Sequence, residues 1–337
     1  MATTPPERRA TVRTLRSRRS LLTVVIACCA IVSGAGAQNR PLIAWSSDRA
    51  NPVLVDRDAG HFDIYVMDDL GNGVRRLTDA DGDQGYPSWA PDGKRLAFTH
   101  HAHDDDGIYT MDADGGDWTP LTTHPAGDGT PSWSPTGEQI AFVSNRDAQA
   151  EIYVMNVDGS GVRNLSQHGA MDTYPAWSPD GTRIAFASNR GNAISKFEIY
   201  VMDADGGGVR AVAGSRWGGL APTWSADGRE IAYSSHAATI IAPVNGGPER
   251  RLLDLPDFEE HPAWSPGGRI AFERTHRNEQ NIWVVDIDGQ NATALTNDVR
   301  IFNHNPDWFD PSAPRLSTLA VDALGKLLSP WGRLKRR

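Results

Sequence analysis

The feature that most narrows what this chain can fold into is a proline and a tryptophan, one residue apart, recurring six times. The pairs are Pro87/Trp89, Pro131/Trp133, Pro175/Trp177, Pro222/Trp224, Pro262/Trp264 and Pro306/Trp308. Successive tryptophans are separated by 44, 44, 47, 40 and 44 residues. A period in this range marks an architecture that stacks one supersecondary unit on the next. The unit is clearest between Asp172 and Arg210. Ser178-Pro179-Asp180-Gly181 suits a type I turn, with proline presetting φ at the second position and glycine closing it. Ile184, Phe186 and Ser188 alternate with Ala185 and Ala187, which is a strand period. Glu198 to Met202 is β-branched and aromatic, and Asp205-Gly206-Gly207 makes a tight hairpin turn. The unit is therefore a meander of four short antiparallel strands. One such sheet leaves both faces uncovered, so radial neighbours must cover them. The expected fold is all-β, a six-bladed β-propeller with the repeated tryptophan filling the gap between blades.

The order of the ring follows from where the pattern starts and stops. Leu42-Ile43-Ala44-Trp45-Ser46 matches the Ile-Ala-Phe strand of later units, so blade one begins without an inner strand. Pro306-Asp307-Trp308 has no Ile-Ala-Phe strand after it. The two deficits complement each other. A C-terminal strand around Trp308 is predicted to complete blade one and latch the ring. Second strands near Ile43, Leu96, Ile140, Ile184, Ile231 and Ile270 bring the number of blades to six.

Trp177-Ser-Pro-Asp-Gly181, Ile184-Ala-Phe-Ala-Ser-Asn-Arg190 and Glu198-Ile-Tyr-Val-Met-Asp203 resemble the phrases of TolB-type β-propeller repeats, and they recur in order from Pro41 to Trp308. The resemblance implies a propeller of the bacterial envelope. In TolB itself an α/β domain precedes the propeller. Here the strand pattern begins directly after the leader, so the propeller is expected without that domain. Prolyl peptidases of the dipeptidyl peptidase IV type carry similar repeats before a hydrolase domain, for which the 26 residues after Pro311 leave no room.

The first residues differ in kind. Six arginines between Arg8 and Arg19 face one acid, Glu7. An apolar run from Leu21 to Val32 follows, and Ala35-Gly36-Ala37 offers a small-x-small cleavage site before Gln38. This reads as a secretory signal peptide whose apolar run is too short to span a bilayer. Ser17-Arg18-Arg19-Ser20-Leu21-Leu22 also resembles a twin-arginine signal, and both export routes stay open. The only cysteines, Cys28 and Cys29, lie in this leader, so the mature chain has no disulfide and no cysteine nucleophile. Expected domains are 1–37 leader, 38–311 propeller and 312–337 tail. Leader and tail each carry a net +5, and the whole chain is −9, so the propeller holds about −19. That charge argues against nucleic acid as a partner. In the tail, leucines from Leu316 to Leu334 recur at threes and fours among basic residues. It is expected to pack on the propeller or to touch a membrane surface or a partner.

No motif for enzyme chemistry stands out. There is no Gly-x-Ser-x-Gly elbow, no phosphate loop and no dinucleotide fingerprint. No cofactor is expected. His100, His101 and His103, with Asp104 to Asp106, form the densest ligand-type cluster, a weak candidate for a divalent metal. Arg146 with Glu151, Arg190 with Glu198 and Arg49 with Asp63 are expected as intrablade ion pairs. Tight turns occupy one end of the ring, while the longer, variable loops and blade-to-blade links occupy the other. Function is expected at the second end. There, Gln84, Asp128, Asp172, Gly219, Glu259 and Asn303 stand three residues before the prolines, and Tyr86, Thr130, Tyr174, Ala221, His261 and Asn305 immediately before them. These residues are predicted to crowd the channel mouth and to hold a basic or amide-rich protein or peptide segment. The expected protein is thus an exported, monomeric, non-enzymatic binding scaffold. A metal-dependent carbohydrate-active enzyme, like the oligogalacturonate lyases that resemble these propellers, and a Tol–Pal-like envelope component are the alternatives.

Overall fold

The computed structural model describes residues 40–50, 61–102, 106–191, 196–213, 218–236, 238–254, 257–277, 279–299 and 301–313. The expected leader with its Ala37–Gln38 cleavage site, His103 and nearly all of the tail lie outside these residues. The rest form six four-stranded antiparallel sheets arranged as a six-bladed propeller. Blade four shows the plan, with strands Asp172–Trp177, Arg183–Ser188, Glu198–Asp203 and Arg210–Ala213 from the axis outward.

Alternation along the second strand decides how blades meet. Ile184 pairs with Met202 and Phe186 with Tyr200, so the large side chains share one face. Ala185 and Ala187, opposite Val201 and Ile199, form a shallower face on the other side. The core consists of six apolar clusters, and each joins two neighbouring blades. Ile184, Phe186, Tyr200 and Met202 pack against Ala141, Ile152 and Val154 of blade three. Ala185, Ala187, Ile199 and Val201 pack against Ile231, Tyr233 and Trp224 of blade five. The large face of each blade thus fills the small face of the one before it. The repeated tryptophan does fill the gap between blades, as Trp224 does here. Arg95, Arg183 and Arg269 lie over Trp133, Trp224 and Trp308 of the next blade, 4.7–5.3 Å from the ring centres.

A second set of arginines covers the aromatic pair of its own blade, and in blades three and four it also ties that blade to its inner strand. Arg190 lies over Phe186 and Tyr200 and pairs with the fully buried Asp172 at 2.6 Å. Arg146 lies over Phe142 and Tyr153 and pairs with Asp128 at 2.9 Å. Arg49 covers Trp45 and Tyr65 and pairs with Asp298. The expected partners Glu151, Glu198 and Asp63 are corrected. Glu151 takes Asn164 and the His168 amide, Glu198 takes Lys196, and Asp63 takes Arg76. In blades three and four the acid on the inner strand lies within reach of the arginine folded over the aromatic pair.

The ring closes as the sequence predicts. Asn303–Phe309 pairs with Leu42–Ser47, with Ile43 opposite Trp308 and Ser47 opposite Asn303. Trp45 Nε1 donates to Asn303 Oδ1 at 2.9 Å. The latch also grips blade two: Trp89 N donates to Asp307 Oδ2 at 2.7 Å, and the Phe309 ring packs 5.5 Å from Trp89. At Gly93, in the tight turn of blade two, a Cβ would sit 2.1 Å from the Phe309 ring, and φ is 68°. Only glycine admits both the turn and the latch.

Trp308 is 7% exposed, and Trp308→Ala is expected to cost about 3–5 kcal/mol in chemical denaturation. Removing the chain from Asn303 onward should also abolish the single cooperative transition. A truncated chain that unfolds like the intact one would exclude this closure.

Candidate functional site

Each inner strand carries the same irregularity. Its register against the second strand slips just before the proline, between Gly85 and Ser88, Gly129 and Ser132, Thr173 and Ala176, Leu220 and Thr223, and Glu260 and Ala263, and at the matching point of the latch. The residue immediately before each proline is left-handed: Tyr86 (φ 52°), Thr130 (49°), Tyr174 (54°), Ala221 (49°), His261 (44°) and Asn305 (51°). Such a conformation in a non-glycine residue costs on the order of 1–3 kcal/mol and persists only where the surroundings enforce it. In three blades the second strand of the preceding blade receives the displaced N–H group. Thr130 N donates to Thr99 Oγ1 at 3.0 Å, His261 N to Ser234 Oγ at 2.8 Å, and Asn305 N to Glu273 Oε1 at 2.6 Å. The bulge turns the residue before each proline out of the sheet and into the channel.

The six segments enclose a cavity of about 570 Å³, within the range of small-ligand and peptide sites. Its wall is made of the six prolines and tryptophans and continues into the following turns at Pro91, Pro135 and Pro179. Large groups come from alternate blades. Tyr86, Tyr174 and His261 meet with ring centres 6.2 Å and 5.6 Å apart. Thr130, Ala221 and Asn305 stand between them and leave space. Burial raises both phenol pKa values, so Tyr86 and Tyr174 stay neutral hydroxyls.

Under this trio lies Glu273, 1% exposed. Its carboxylate accepts from Gln280 Nε2 at 2.7 Å and from Asn305 N. His261 Nδ1 lies 2.8 Å from one oxygen and His304 Nδ1 3.2 Å from the other. Burial opposes this charge, and the imidazoles and hydrogen bonds outweigh it, holding Glu273 below the ordinary carboxylate range. Glu260, His261 and Glu273 each offer a ligand atom within 4.8 Å of the others. Asp307 is the other acid of note. It lines the cavity where the equivalent residues are Ser88, Ser132, Ala176, Thr223 and Ala263. Burial pushes its carboxyl up to about 7, against the amides of Trp89 and Trp308 that favour the charged form.

The structure sorts the residues expected at the channel mouth into two sets. Tyr86, Tyr174 and His261 line the cavity. Gln84, Asp128, Asp172, Glu259 and Asn303 do not, which corrects the expectation that they ring the mouth. All are at most 2% exposed and are spent inside the sheets. Asp128 and Asp172 hold their arginines, Gln84 meets His100 Nδ1 at 3.1 Å, Glu259 accepts from Thr239 N, and Asn303 bonds Trp45. Strand side chains alternate, and residues three before the proline fall on the packed face. The cavity is also built from the tight-turn end of the inner strands, not from the end with the variable links where function was expected. His100 is buried against Tyr109 and Trp118, whereas His101 is exposed near Asp106, so the two do not converge. The sequence reading missed Glu273. Its signal was present, since Glu273 follows Phe272 where the other second strands have Ser46, Thr99, Val143, Ala187 and Ser234.

The profile of the TolB beta propeller domain matches residues 123–194 and 191–314, more than half of the chain. No curated protein sequence matches. Among solved structures, TolB from Acinetobacter baumannii superposes with a TM-score of 0.69 at 23% identity, over 80% of this chain and 66% of that one. A TolB-assigned protein from Agrobacterium tumefaciens gives 0.61 at 20%, over 80% of this chain and 99% of that one. Hydrazine synthase from Kuenenia stuttgartiensis gives 0.65 at 15%, over 82% and 48%. At these identities the likeness to the solved structures is one of fold. This chain spans slightly under two thirds of the Acinetobacter protein.

Asp307 yields a pH-dependent prediction. A carboxyl raised from 3.8 to about 7 binds its proton more tightly in the folded chain than in the unfolded one. Folding is therefore favoured below the unfolded value and loses that advantage as pH rises through the folded one. Asp307→Asn keeps an acceptor for Trp89 N and removes the charge. Relative to the unaltered protein, it should gain urea resistance at about pH 8 and not at about pH 4. A difference independent of pH would exclude a raised Asp307 carboxyl.

Proposed function

Since this chain belongs to the TolB beta propeller domain family, we propose that it is an exported, non-enzymatic scaffold of the bacterial envelope whose channel receives a protein or peptide segment. The observation that supports this reading most is the cavity itself. It is walled by rigid proline and tryptophan rings, and neutral tyrosine hydroxyls converge on it at backbone positions held left-handed. An apolar wall with a few fixed polar groups suits an extended segment that brings its own backbone donors and acceptors. Asp310 at the wall, and the net negative charge of the propeller, favour a basic or amide-rich segment over an acidic one. The basic, apolar leader is the feature that supports export. The Tol–Pal-like role is a narrower form of the same reading and rests on the family alone.

The channel can be tested without knowing the natural partner. Random peptides displayed on phage are selected on the mature propeller and then measured against Ala221→Trp, which fills the cavity from a position that needs no large side chain. Selected peptides should be rich in lysine and arginine, bind more weakly as salt rises, and lose at least tenfold in affinity for the variant, with its thermal midpoint unchanged. Peptides that bind both proteins equally would move the site off the channel.

Export has its own test. Fractionation of cells expressing the full chain should yield a periplasmic protein beginning at Gln38 by mass spectrometry. An intact N-terminus in the cytoplasm would refute export.

A further inference from the structure

We propose that Glu260, His261 and Glu273 form a site for one divalent transition-metal ion, with one imidazole and two carboxylates as ligands. The first observation is their arrangement. Glu260 and Glu273 are direct partners across neighbouring antiparallel strands, which places their side chains on one face. Like charges facing each other in this way destabilise a sheet unless a cation lies between them. His261 follows Glu260, and its left-handed backbone swings the imidazole to the same side. One ligand atom from each of the three lies within 4.8 Å of the others.

The second observation is the contact between His261 and Glu273. Nδ1 stands 2.8 Å from Oε1, yet it is out of line for a hydrogen bond and is a buried nitrogen without a hydrogen-bond partner. Two ligand atoms bound at right angles to an ion at about 2.0–2.2 Å lie about 3 Å apart. The contact therefore has the length of one edge of a coordination polyhedron and lacks the direction of a proton-sharing pair.

The third observation is how buried acids of the ring are balanced: Glu151 and Glu259 are held by amides alone, while the buried aspartates outside the channel take arginines. Asp63, Asp128, Asp172 and Asp257 are each paired with an arginine, Arg76, Arg146, Arg190 and Arg274. Among the described residues Glu273 has no arginine or lysine within ion-pair distance. Its partners are imidazoles and amides. A fully buried carboxylate facing a second carboxylate calls for a cation, and no arginine or lysine among the described residues supplies one.

The ligand set points to the class of ion. An imidazole with two carboxylates suits zinc or manganese, whereas calcium prefers an all-oxygen shell. His304 and Gln280 hold the second oxygen of Glu273 and would fix its orientation around the ion. Glu260 is exposed, so the site is open to exchange with solvent. The site shares His261 with the channel, but neither Ala221 nor the proline wall belongs to it, so loss of metal binding and loss of peptide binding can be told apart.

The test uses the mature protein stripped with a chelator and titrated with Zn²⁺ in a calorimeter. Glu260→Gln and His261→Asn are titrated in parallel, and Co²⁺ serves as a spectroscopic probe. The unaltered protein should bind one equivalent of Zn²⁺ and show Co²⁺ d–d bands. Each variant should lose at least tenfold in Zn²⁺ affinity and lose those bands. Glu260 is exposed, so Glu260→Gln keeps the test valid if His261→Asn folds poorly. Equal Zn²⁺ binding by all three proteins would place the ion on other surface histidines and overturn the site. So would an absence of stoichiometric binding. Ca²⁺ binding as tight as Zn²⁺ binding, and unchanged in His261→Asn, would overturn the imidazole as a ligand.

Discussion

The structure depends on the mating of unlike faces. Each second strand sorts large side chains to one face and alanine to the other, as Ile184 and Phe186 against Ala185 and Ala187 do. A blade therefore cannot pair with a copy of itself face to face. It packs head to tail, and such contacts close into a ring when the rotation per unit divides the circle. The six apolar clusters between blades are six instances of one interface, and together they are the core. The latch follows from the same constraint. Blade one presents Ile43 and Trp45 to Ala263 and Ala271 of blade six, and only the Trp308 strand finishes that surface.

The inner strands convert this regular ring into a site. The prolines sit where an inner strand must bulge, and the bulge places six left-handed residues around the channel. Repetition lets the scaffold carry the strain, and at three of the six points the displaced amide is received by a side chain of the preceding blade, as Thr130 is by Thr99. With the backbone set at six equivalent points, function is free to vary by side chain alone. Tyrosine, tyrosine and histidine on alternate blades narrow the channel, and threonine, alanine and asparagine leave it open.

Charge is handled differently at the two radii. Outside the channel, buried acids and arginines are matched within blades, and the arginine also covers an aromatic pair. These pairs are structural, and removing one partner would leave a buried charge. At the channel the matching stops. Asp307 is driven toward its neutral form, and Glu273 faces imidazoles and a second carboxylate. Glu259 is also unpaired but is enclosed in the sheet, whereas Asp307 and the Glu260–Glu273 pair lie at the inner strands beside the channel.

Much of this was legible in the residues. The Pro-x-Trp interval, the alternation of Ile184 to Ser188 and the complementary deficits at Leu42 and Trp308 together determined the fold, the number of blades and the latch. Local pattern carries that information, because strand period and turn chemistry act over a few residues. Which side chains reach the channel was not legible in the same way. Asp128 and Asp172 looked like mouth residues until the bulge fixed the register and turned them onto arginines eighteen residues away. Glu273 stood out only as a break in one repeat. Its meeting with Glu260, His261 and His304 depends on a strand pairing within blade six and on the latch strand that closes the ring. The sequence by itself determined the repeat and its closure, because those are written in short-range pattern. The tertiary structure alone decided which acids are matched and which are left to a ligand, because that depends on which residues ring closure brings face to face.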